Sequence, residues 1–579
     1  MKNQELAKIF FNMADYLEID GVSFKPFAYR KVALFLDGMK EDVGEIYRNK
    51  GDKGLQEIPG VGQGIALAIE EYLKTGKVKS FEELKKKLPL KVDELLKVEG
   101  LGPKKVKVLY QQLGVKNLKD LAKAVKAHKI APLFGFGEKT EKNILQGLEF
   151  LKQSKGRFLL GDITPTVKML REILGARKEV KKVSYAGSVR RQKETIGDID
   201  ILVASDNPKK TADFFVSLPE VEKIWAQGST KCSVRFKDGF DVDLRMVAKK
   251  SFGSALQYFT GSKEHNIATR KIAIEKGLKL SEYGVFRATQ GAPQQIAGAT
   301  EEDVYRAIGL PYIEPELRED DGEIQAALRQ AQGKPLGLPK LIKLGDIKGD
   351  LHCHTVASDG ENSIEEMVKT AMDMGYEYVG ISDHTKSLGI ADGQNEKQIL
   401  AQHKAIEKLK LKLKFRILHG CEVNILNNGL LDIKDEVLEK LDYVIASVHS
   451  SMKMGKKEMT ERIVKALENP NVDIFAHPTG RLIGKRDEYQ MDFDKILEVA
   501  KKTGTILEIN SSPKRLDMNG FNVRRAKAKG VKMIINTDSH QKGQLGLMEY
   551  GVGQARRGWA EKEDIINTLS VEKLLESFK

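Results

Sequence analysis

The chain has 579 residues, 96 Lys+Arg against 82 Asp+Glu, a formal net charge of +14 at pH 7, and 41% hydrophobic residues. That length predicts about four domains with room for sizeable cores, and no stretch approaches the roughly 20 apolar residues of a membrane span. Met1-Lys2-Asn3-Gln4-Glu5 has no secretory pattern, and three scattered cysteines (Cys232, Cys353, Cys421) exclude a disulfide framework, so a cytoplasmic protein in a reducing compartment is expected.

The excess charge is confined to one part of the chain: residues 1–318 hold 56 basic and 42 acidic side chains, whereas 319–579 hold 40 of each. A surface that follows a phosphate backbone carries such an excess. Residues 1–100 are balanced at 17 against 17, so affinity there has to come from backbone groups and local patches. Ile58-Pro59-Gly60-Val61-Gly62 precedes the helical run Ile65-Ala66-Leu67-Ala68-Ile69, and Val98-Glu99-Gly100-Leu101-Gly102 precedes a helix over 104–113. An apolar-x-Gly-apolar-Gly turn opening a helix is a helix-hairpin-helix signal, because the glycines let main-chain N–H groups approach a phosphate at the helix N-terminus. One copy could be an ordinary helical turn. Two copies favour sequence-independent DNA binding through Gly60, Gly62, Gly100 and Gly102, and Leu133-Phe134-Gly135-Phe136-Gly137 is a weaker third copy.

Further along, Lys182-Val183-Ser184-Tyr185-Ala186 predicts a short strand, Gly187-Ser188 a tight turn, and 199–203 a buried strand. Side chains i and i+2 of a strand share a face, so Asp198 and Asp200 set two carboxylates side by side. Such a pair repels itself unless divalent cations lie between, the usual arrangement for phosphoryl transfer. Asp241 and Asp243 each offer a third carboxylate with the same facing, so spacing does not choose between them. The Gly-Ser turn can present N–H groups and a hydroxyl to a phosphate, and Arg190 and Arg191 add charge for a polyphosphate. A lone Asp-x-Asp is more often a solvated strand end; the surrounding motifs are what favour catalysis.

With these motifs, residues 1–318 resemble the family X DNA polymerases, the group that includes DNA polymerase beta. The resemblance implies Mg²⁺ or Mn²⁺ held by Asp198, Asp200 and Asp243, the last selected by the family pattern apolar-Asp-apolar-Arg at Val242-Asp243-Leu244-Arg245. It implies a nucleotide site at Gly187, Ser188, Arg191, Gly197, Tyr258, Phe259, Gly261 and Asn266, with Tyr258-Phe259-Thr260-Gly261-Ser262 against the sugar of the incoming dNTP. It also implies DNA contacts at Arg245 and Arg270, and at Lys25, Tyr29 and Arg30 near the 5′-phosphate pocket; Glu282-Tyr283 matches a thumb dipeptide. On their own, Tyr258 and Phe259 would read as core aromatics, and Lys25-Pro26-Phe27-Ala28-Tyr29-Arg30-Lys31 as a plain amphipathic helix. One departure stands out. Aligning on Gly60-Val61-Gly62 puts Ala68 where lyase-active members carry their Schiff-base lysine, so deoxyribose-phosphate lyase activity is expected to be weak.

Between 316 and 345 an acidic run and Gly333-Lys334-Pro335-Leu336-Gly337-Leu338-Pro339 predict a linker with a short helix over 324–332. Beyond it, His352-x-His354 with Asp359, Ser382-Asp383-His384, Gly420-Cys421-Glu422, Ser447-Val448-His449, Ala476-His477 and Asp538-Ser539-His540 take six of the ten histidines. Each follows a short apolar strand such as Tyr378-Val379-Gly380-Ile381, and helical segments separate them, which describes a β/α barrel collecting these side chains at one face. In strand geometry His352 and His354 share a face, as do Asp538 and His540. A single histidine after a strand is more often structural; the repetition is what points to metal. Imidazole plus carboxylate without thiolate suits Mn²⁺, Zn²⁺ or Fe²⁺, and nine candidates suit two or three ions activating water against a phosphate ester.

This half resembles the PHP (polymerase and histidinol phosphatase) domain, which implies the ligands His352, His354, Asp359, His384, Glu422, His449, His477, Asp538 and His540. Asp383 and His419 read as groups behind the ligands or as structural, and His403 and Cys353 as without a metal role. The whole therefore resembles the bacterial and archaeal type of family X polymerase with a C-terminal PHP domain. The expected architecture is multidomain: a helical DNA-binding domain (1–85), a fingers-type helical domain (86–150), an α+β nucleotidyltransferase palm (151–250), a thumb (251–318), a linker (319–345) and an α/β distorted barrel (346–579). The resemblance implies a monomer that fills short gaps in gapped or primed duplex DNA from dNTPs in base-excision repair, with a 3′→5′ exonuclease and an abasic-site endonuclease to be tested in the barrel. The alternatives are a template-independent nucleotidyltransferase, against which the two hairpins, Asn266 and Arg270 speak, and a barrel that serves only as a structural module.

Overall fold

Apolar residues at helical spacing fold residues 1–157 into an all-helical unit in which one hydrophobic core runs from Leu6 and Phe10 through Leu36, Ile69 and Leu109 to Leu148. The computed structural model describes residues 2–39, 42–58, 60–96, 98, 101–138, 140–142, 144–145, 148, 156–290, 292–484 and 486–578, and among them no helix is long and apolar enough to cross a membrane. The core does not break at residue 85: Tyr16 Oη donates to the Leu90 carbonyl (2.5 Å). Both expected hairpin helices are present, Gln63–Thr75 with Gly62 at its N-cap and Pro103–Leu113 with Gly102 at its N-cap, each closed by a left-handed glycine, Gly76 and Gly114.

Residues 158–579 form a second compact unit. Its first layer is a five-stranded sheet in the order Val180–Tyr185, Ile199–Ser205, Asp241–Val247, Lys231–Phe236, Val221–Gln227, with the helix Leu160–Gly175 packed on it. The two central strands run parallel and set Asp200 opposite Asp243. The expected turn at Gly187-Ser188 is the start of a one-turn helix, Gly187–Arg190. The helices Phe252–Thr260 and Lys263–Glu275 and the antiparallel strands Leu278–Ser281, Gly284–Arg287 and Gln294–Ala297 follow.

The stretch 319–345, expected as a linker, is packed structure. Its helix Glu323–Ala331 buries Ile324, Ala326 and Ala327, and the buried Glu323 carboxylate accepts from His265 Nδ1 (2.7 Å) and from the Asp320 and Asp321 N–H groups (2.9 and 2.8 Å). Within the acidic run Glu323 is consumed internally while Asp321 stays exposed beside Arg524 (3.0 Å), and Leu341 and Ile342 are buried beyond it.

The β/α alternation then builds two parallel sheets. Gly349–Asp350, Tyr378–Ile381 and Arg416–His419 form one; Glu422–Asn424, Ile445–Ser447, Ile474–Phe475, Ile506–Asn510 and Met533–Asn536 form the other, in chain order. Isolated bridges His384↔Glu422 and Cys353↔Ser539 join them, so the barrel is distorted at both seams. Its strands are buried except for Arg416 at the start of one, as parallel sheets covered by helices require.

A buried charge cluster ties the palm to the thumb. Arg190 forks onto Glu301 (2.9 and 2.5 Å), and the fully buried Arg318 reaches the same carboxylate (2.5 Å) while donating to the Ile313 carbonyl (2.9 Å). Burial alone would raise the Glu301 carboxyl, but the two guanidiniums outweigh it and lower its pKa to about 2. A carboxylate depressed on folding stabilises above its unfolded pKa near 4.5 and loses that contribution as pH falls toward 2. Arg318→Met leaves Glu301 half-compensated and is expected to cost about 3–5 kcal/mol. Urea unfolding followed by Trp225 and Trp559 fluorescence measures this; a loss under about 1 kcal/mol would show that the cluster is not a structural tie.

Candidate active sites

In the palm, the parallel pairing of Ile199–Ser205 with Asp241–Val247 brings Asp198, Asp200 and Asp243 together at one end of the sheet. Asp243 accepts from Ser233 Oγ (2.5 Å) and lies 2.7 Å from Lys231 Nζ. Asp241 is engaged elsewhere, by Arg235 (2.8 and 2.5 Å) and Trp225 Nε1 (3.1 Å), so the contacts separate the two carboxylates that spacing could not. Burial and then the neighbouring Asp198 and Asp243 charges raise Asp200 to about 7. Gly187 has φ +58°, and a Cβ there would stand 2.4 Å from Asp200 Oδ2, so only glycine allows this approach. The first N–H groups of the single turn Gly187–Arg190 have no intrahelical acceptor.

The other residues of the expected nucleotide and DNA sites divide into two sets. Arg190 is held by Glu301 and Thr260 Oγ1, and Arg191 donates to the Thr260 carbonyl (2.7 Å) and Glu319 (3.1 Å), so the structure places both guanidiniums in ion pairs rather than in open space. Ser188 and Gly197 are half-buried beside the aspartates. Tyr258 and Phe259 are half-buried and meet edge-on (5.0 Å); Arg270 stacks over Tyr258 and Arg245 over Phe259, both at 4.9 Å. Asn266 donates to the Tyr258 carbonyl (2.7 Å), and a Cβ on Gly261 would crowd Asn266 Oδ1 at 2.8 Å. Arg245, Phe259, Glu282 and Tyr283 line one groove of about 390 Å³.

In the helical unit Lys25 is exposed at the start of Lys25–Gly38, Arg30 is paired with Asp15 (2.6 Å) and Glu18 (2.7 Å), and Tyr29 packs edge-on against Phe10 (5.3 Å). Gly60 has φ +89° and Gly62 and Gly102 cap their helices, whereas Gly100 lies outside the described residues. Ala68 faces the core at 6% exposure.

In the barrel the nine expected residues converge. Three groupings hold ligand atoms within 4.8 Å of one another: His354, Asp359, His384 and His540; His352, His354 and Asp538; His384, Glu422 and His449. His477 joins through Glu422, donating from Nε2 (3.0 Å). His477 and Asp538 have positive φ (30° and 55°), so Asp538 and His540 do not sit on a regular strand as expected; the His540 Nδ1 bond to the Asp538 carbonyl (2.9 Å) turns the backbone there. Asp383 accepts from Thr355 N (2.6 Å), Ser358 Oγ (2.6 Å) and Gln402 Nε2 (2.6 Å), bracing the loop that carries Asp359; His419 and His403 continue that chain away from the cluster.

Orphaned atoms show that this set fits cations. His352 Nδ1 donates to Glu508 Oε1 (2.6 Å), which leaves its buried Nε2 without a partner. His354 Nδ1, His384 Nδ1 and Glu422 Oε2 are buried and unpaired as well, although the last two stand only 2.7 Å apart, misaligned for a hydrogen bond. Lone pairs left unsatisfied among imidazoles and carboxylates are what divalent ions bind. Burial pushes His352 toward neutrality, but Glu508, Glu422 and Asp538 lift it well above the ordinary histidine value. His540 follows the same balance to about 9 through Asp359 and Asp538, while burial and then the neighbouring His384 ring lower His354 to about 3. Glu508, Asn424 and Asn510 were not anticipated; a carboxylate inside the apolar Ile506-Leu507-Glu508-Ile509-Asn510 strand was the available signal.

Two outcomes follow from these charges. A carboxyl whose pKa rises from 3.8 to about 7 on folding favours the folded state at low pH and loses that contribution as pH climbs through 7. In EDTA at pH 8, Asp200→Asn is therefore expected to stabilise the protein by about 2–4 kcal/mol, and Mg²⁺ to stabilise the parent alone; equal melting of the two would contradict the carboxylate cluster. In the barrel, the carboxylates around His540 raise its pKa to about 9, so loading with Mn²⁺ at pH 7.5 is expected to release protons, fewer as pH rises through 9. Calorimetry in buffers of different ionisation enthalpy counts them, and proton-free loading would place the ions elsewhere.

Four family models match the chain: "Helix-hairpin-helix domain" at residues 1–78, "SAM-like Helix-hairpin-helix tandem" at 92–149, "DNA polymerase beta thumb" at 255–319 and "PHP domain" at 350–512. The DNA polymerase/3′-5′ exonuclease PolX of Bacillus subtilis (strain 168) is 38% identical over 576 residues, covering 99% of this chain and 98% of its own. A probable phosphatase of Thermoanaerobacter sp. (strain X514) is 31% identical over 242 residues, 40% of this chain and 94% of its own, and one of Clostridium acetobutylicum is 33% identical over 202 residues, 33% and 78%. The phosphatases match only as much chain as a barrel needs, whereas the PolX match runs through hairpins, palm, thumb and barrel alike, and the chain belongs to the family X DNA polymerases that carry a C-terminal PHP domain.

Proposed function

We propose that this chain is a DNA-directed DNA polymerase that fills short gaps by two-metal nucleotidyl transfer, and a 3′→5′ exonuclease through its PHP barrel. The observation that carries this reading is that one compact unit holds two clusters of cation-ligand side chains with no residue in common. Divalent cations, when bound, supply positive charge to the reacting phosphate and lower the pKa of water. Mg²⁺ or Mn²⁺ suits the carboxylates of Asp198, Asp200 and Asp243; two or three Mn²⁺, Zn²⁺ or Fe²⁺ ions suit the imidazole-rich barrel.

The chain's own groups do the rest. The Gly187 turn and Ser188 receive the triphosphate of a dNTP, the half-buried Tyr258 and Phe259 lie along its sugar, and Asn266 and Arg270 face the nascent pair. Gly60, Gly62 and Gly102 present helix N-termini to the DNA backbone without reading sequence, which suits gapped or primed duplexes. In the barrel a water oxygen bonds to phosphorus as the P–O3′ bond breaks, the leaving oxygen takes a proton, and a 5′-mononucleotide departs. A monomer working in cytoplasmic base-excision repair is the setting this reading implies, with abasic-site cleavage as a barrel activity to assay. Core-facing Ala68 offers no amine for a Schiff base, so lyase activity is outside the proposal.

A labelled primer on a gapped duplex, with and without dNTPs, tests both activities at once. Asp198→Ala/Asp200→Ala is expected to abolish incorporation, by about 10³-fold or more, while degradation continues. His352→Ala/His354→Ala is expected to do the reverse and to empty most of the barrel metal. Undiminished 3′-end degradation by the second variant would leave the barrel as a scaffold.

A further inference from the structure

The helix Glu396–Leu413 ends on charge that the barrel as a whole does not carry. Residues 319–579 balance 40 basic against 40 acidic side chains, yet residues 404–416 hold six basic ones against the single Glu407. Three of the six are matched: Lys410 lies 2.6 Å from Glu407 and 3.7 Å from Asp442, Lys412 lies 2.9 Å from Glu365, and Arg416 lies 3.6 Å from Glu572. Lys404, Lys408 and Lys414 are exposed and make no ion pair among the described residues. Lys414 also closes the helix in the left-handed region, at φ 50°, where the barrel helices Phe493–Thr503 and Gly520–Lys529 close on Gly504 and Gly530. Glycine is the less strained residue at such a turn. A cation suits a helix C-terminus, but Lys410 and Lys412 already supply that charge in the last turn.

The surface these cations border is apolar. Leu411 is 82% exposed and Leu575, on the short helix Val571–Leu575, is 39% exposed; with Phe415 and Val571 they line a groove of about 410 Å³. Arg416 opens its strand and His419 closes it, so the groove lies at the end of the barrel opposite the ligand cluster and takes no part in holding cations there. Exposed leucines bordered by cations complement a chain that carries an apolar side chain among carboxylates. A nucleic-acid backbone would match the lysines but set phosphate against the leucines, and Asp442 and Glu572 on the groove wall interrupt the row of positive charge that such a backbone follows.

We propose that this groove docks an acidic peptide segment of a partner protein through one apolar anchor side chain, tethering the chain by the foot of its barrel while the ligand mouth at the other end stays free. The test uses the full chain and a fluorescein-labelled probe peptide, Glu-Asp-Glu-Leu-Phe-Asp-Glu, followed by fluorescence anisotropy. The probe is expected to bind with a Kd of about 10–100 µM. Leu411→Ser and Lys408→Glu/Lys414→Gly are each expected to weaken binding about tenfold or more, as is exchange of Leu-Phe in the probe for Ser-Ser. Gap filling and 3′-end degradation by both variants are expected to stay within about twofold of the parent. Glycine relaxes the turn at 414, so the double variant is expected to melt no earlier than the parent, which separates lost affinity from lost folding. No binding up to about 1 mM peptide, or affinity unchanged by Leu411→Ser, would overturn the proposal. Peptide binding that survives Lys408→Glu/Lys414→Gly while affinity for a gapped duplex falls would make the patch a nucleic-acid surface instead.

Discussion

Five imidazoles crowd the two oxygens of Glu422: His384 at 2.7 Å, His477 at 3.0 Å, His449 at 3.3 Å, His352 at 3.4 Å and His354 at 3.7 Å, with Glu422 wholly out of water. Placing that much polarity in a protein interior is unfavourable unless each group is paired or neutralised. The electrostatics show the compromise: the carboxylates lift His352, His384 and His540 above the ordinary histidine value, burial lowers His354, and the imidazoles hold Glu422 well below the usual carboxylate range. The barrel's construction follows from this constraint. Short, largely buried parallel strands end together so that loops of several different strands can converge, and backbone at His477 and Asp538 enters the left-handed region to complete the set.

The palm meets the same constraint with fewer groups. Asp200 and Asp243 are brought opposite one another by strand register, and burial, followed by the neighbouring charges of Asp198 and Asp243, raises the Asp200 pKa. Here the counter-charge comes from Lys231 on the adjacent strand, and the neutral Ser233 hydroxyl donates a hydrogen bond to Asp243. Carboxylates alone suit hard, well-hydrated ions that retain other oxygen ligands; a set rich in imidazole suits softer ones. Two chemistries on phosphate esters in one chain therefore need two ligand sets.

The grouping of the candidate ligands was legible in the sequence because it rests on local rules. Period-two facing put Asp198 beside Asp200, and a histidine or carboxylate after each apolar run marked the barrel mouth. What depends on contacts distant in the chain was not legible. The linker reading failed because Glu323 finds His265, fifty-eight positions earlier, and a solvated acidic run looks the same as one whose partner lies far upstream. Arg190 and Arg191 read as phosphate ligands since nothing local shows Glu301 or Glu319 waiting for them. Glu508 follows no motif of its own; its role lies in the ring nitrogen of His352, 156 positions away.

The palm and barrel share a scaffold without sharing ligands. Within the stretch from Arg190 to Asp200, Arg190 reaches Glu301, the Arg191 carbonyl accepts from Arg557, the Gln192 carbonyl accepts from Gln554, and Glu194 pairs with Arg481, before the chain arrives at the clustered aspartates. Gly553 would meet Gln192 Oε1 at 2.8 Å if it carried a Cβ, so the barrel's last long helix lies against this segment. A substitution at a ligand acts on one cluster because the electrostatic demand it relieves is local. A substitution at the shared contacts acts on both, since it loosens the segment leading to Asp198 and the loop beside Asp538 together. Separability of the two activities is therefore a property of the side chains that touch phosphate and cation, and their coupling is a property of the buried ion pairs behind them.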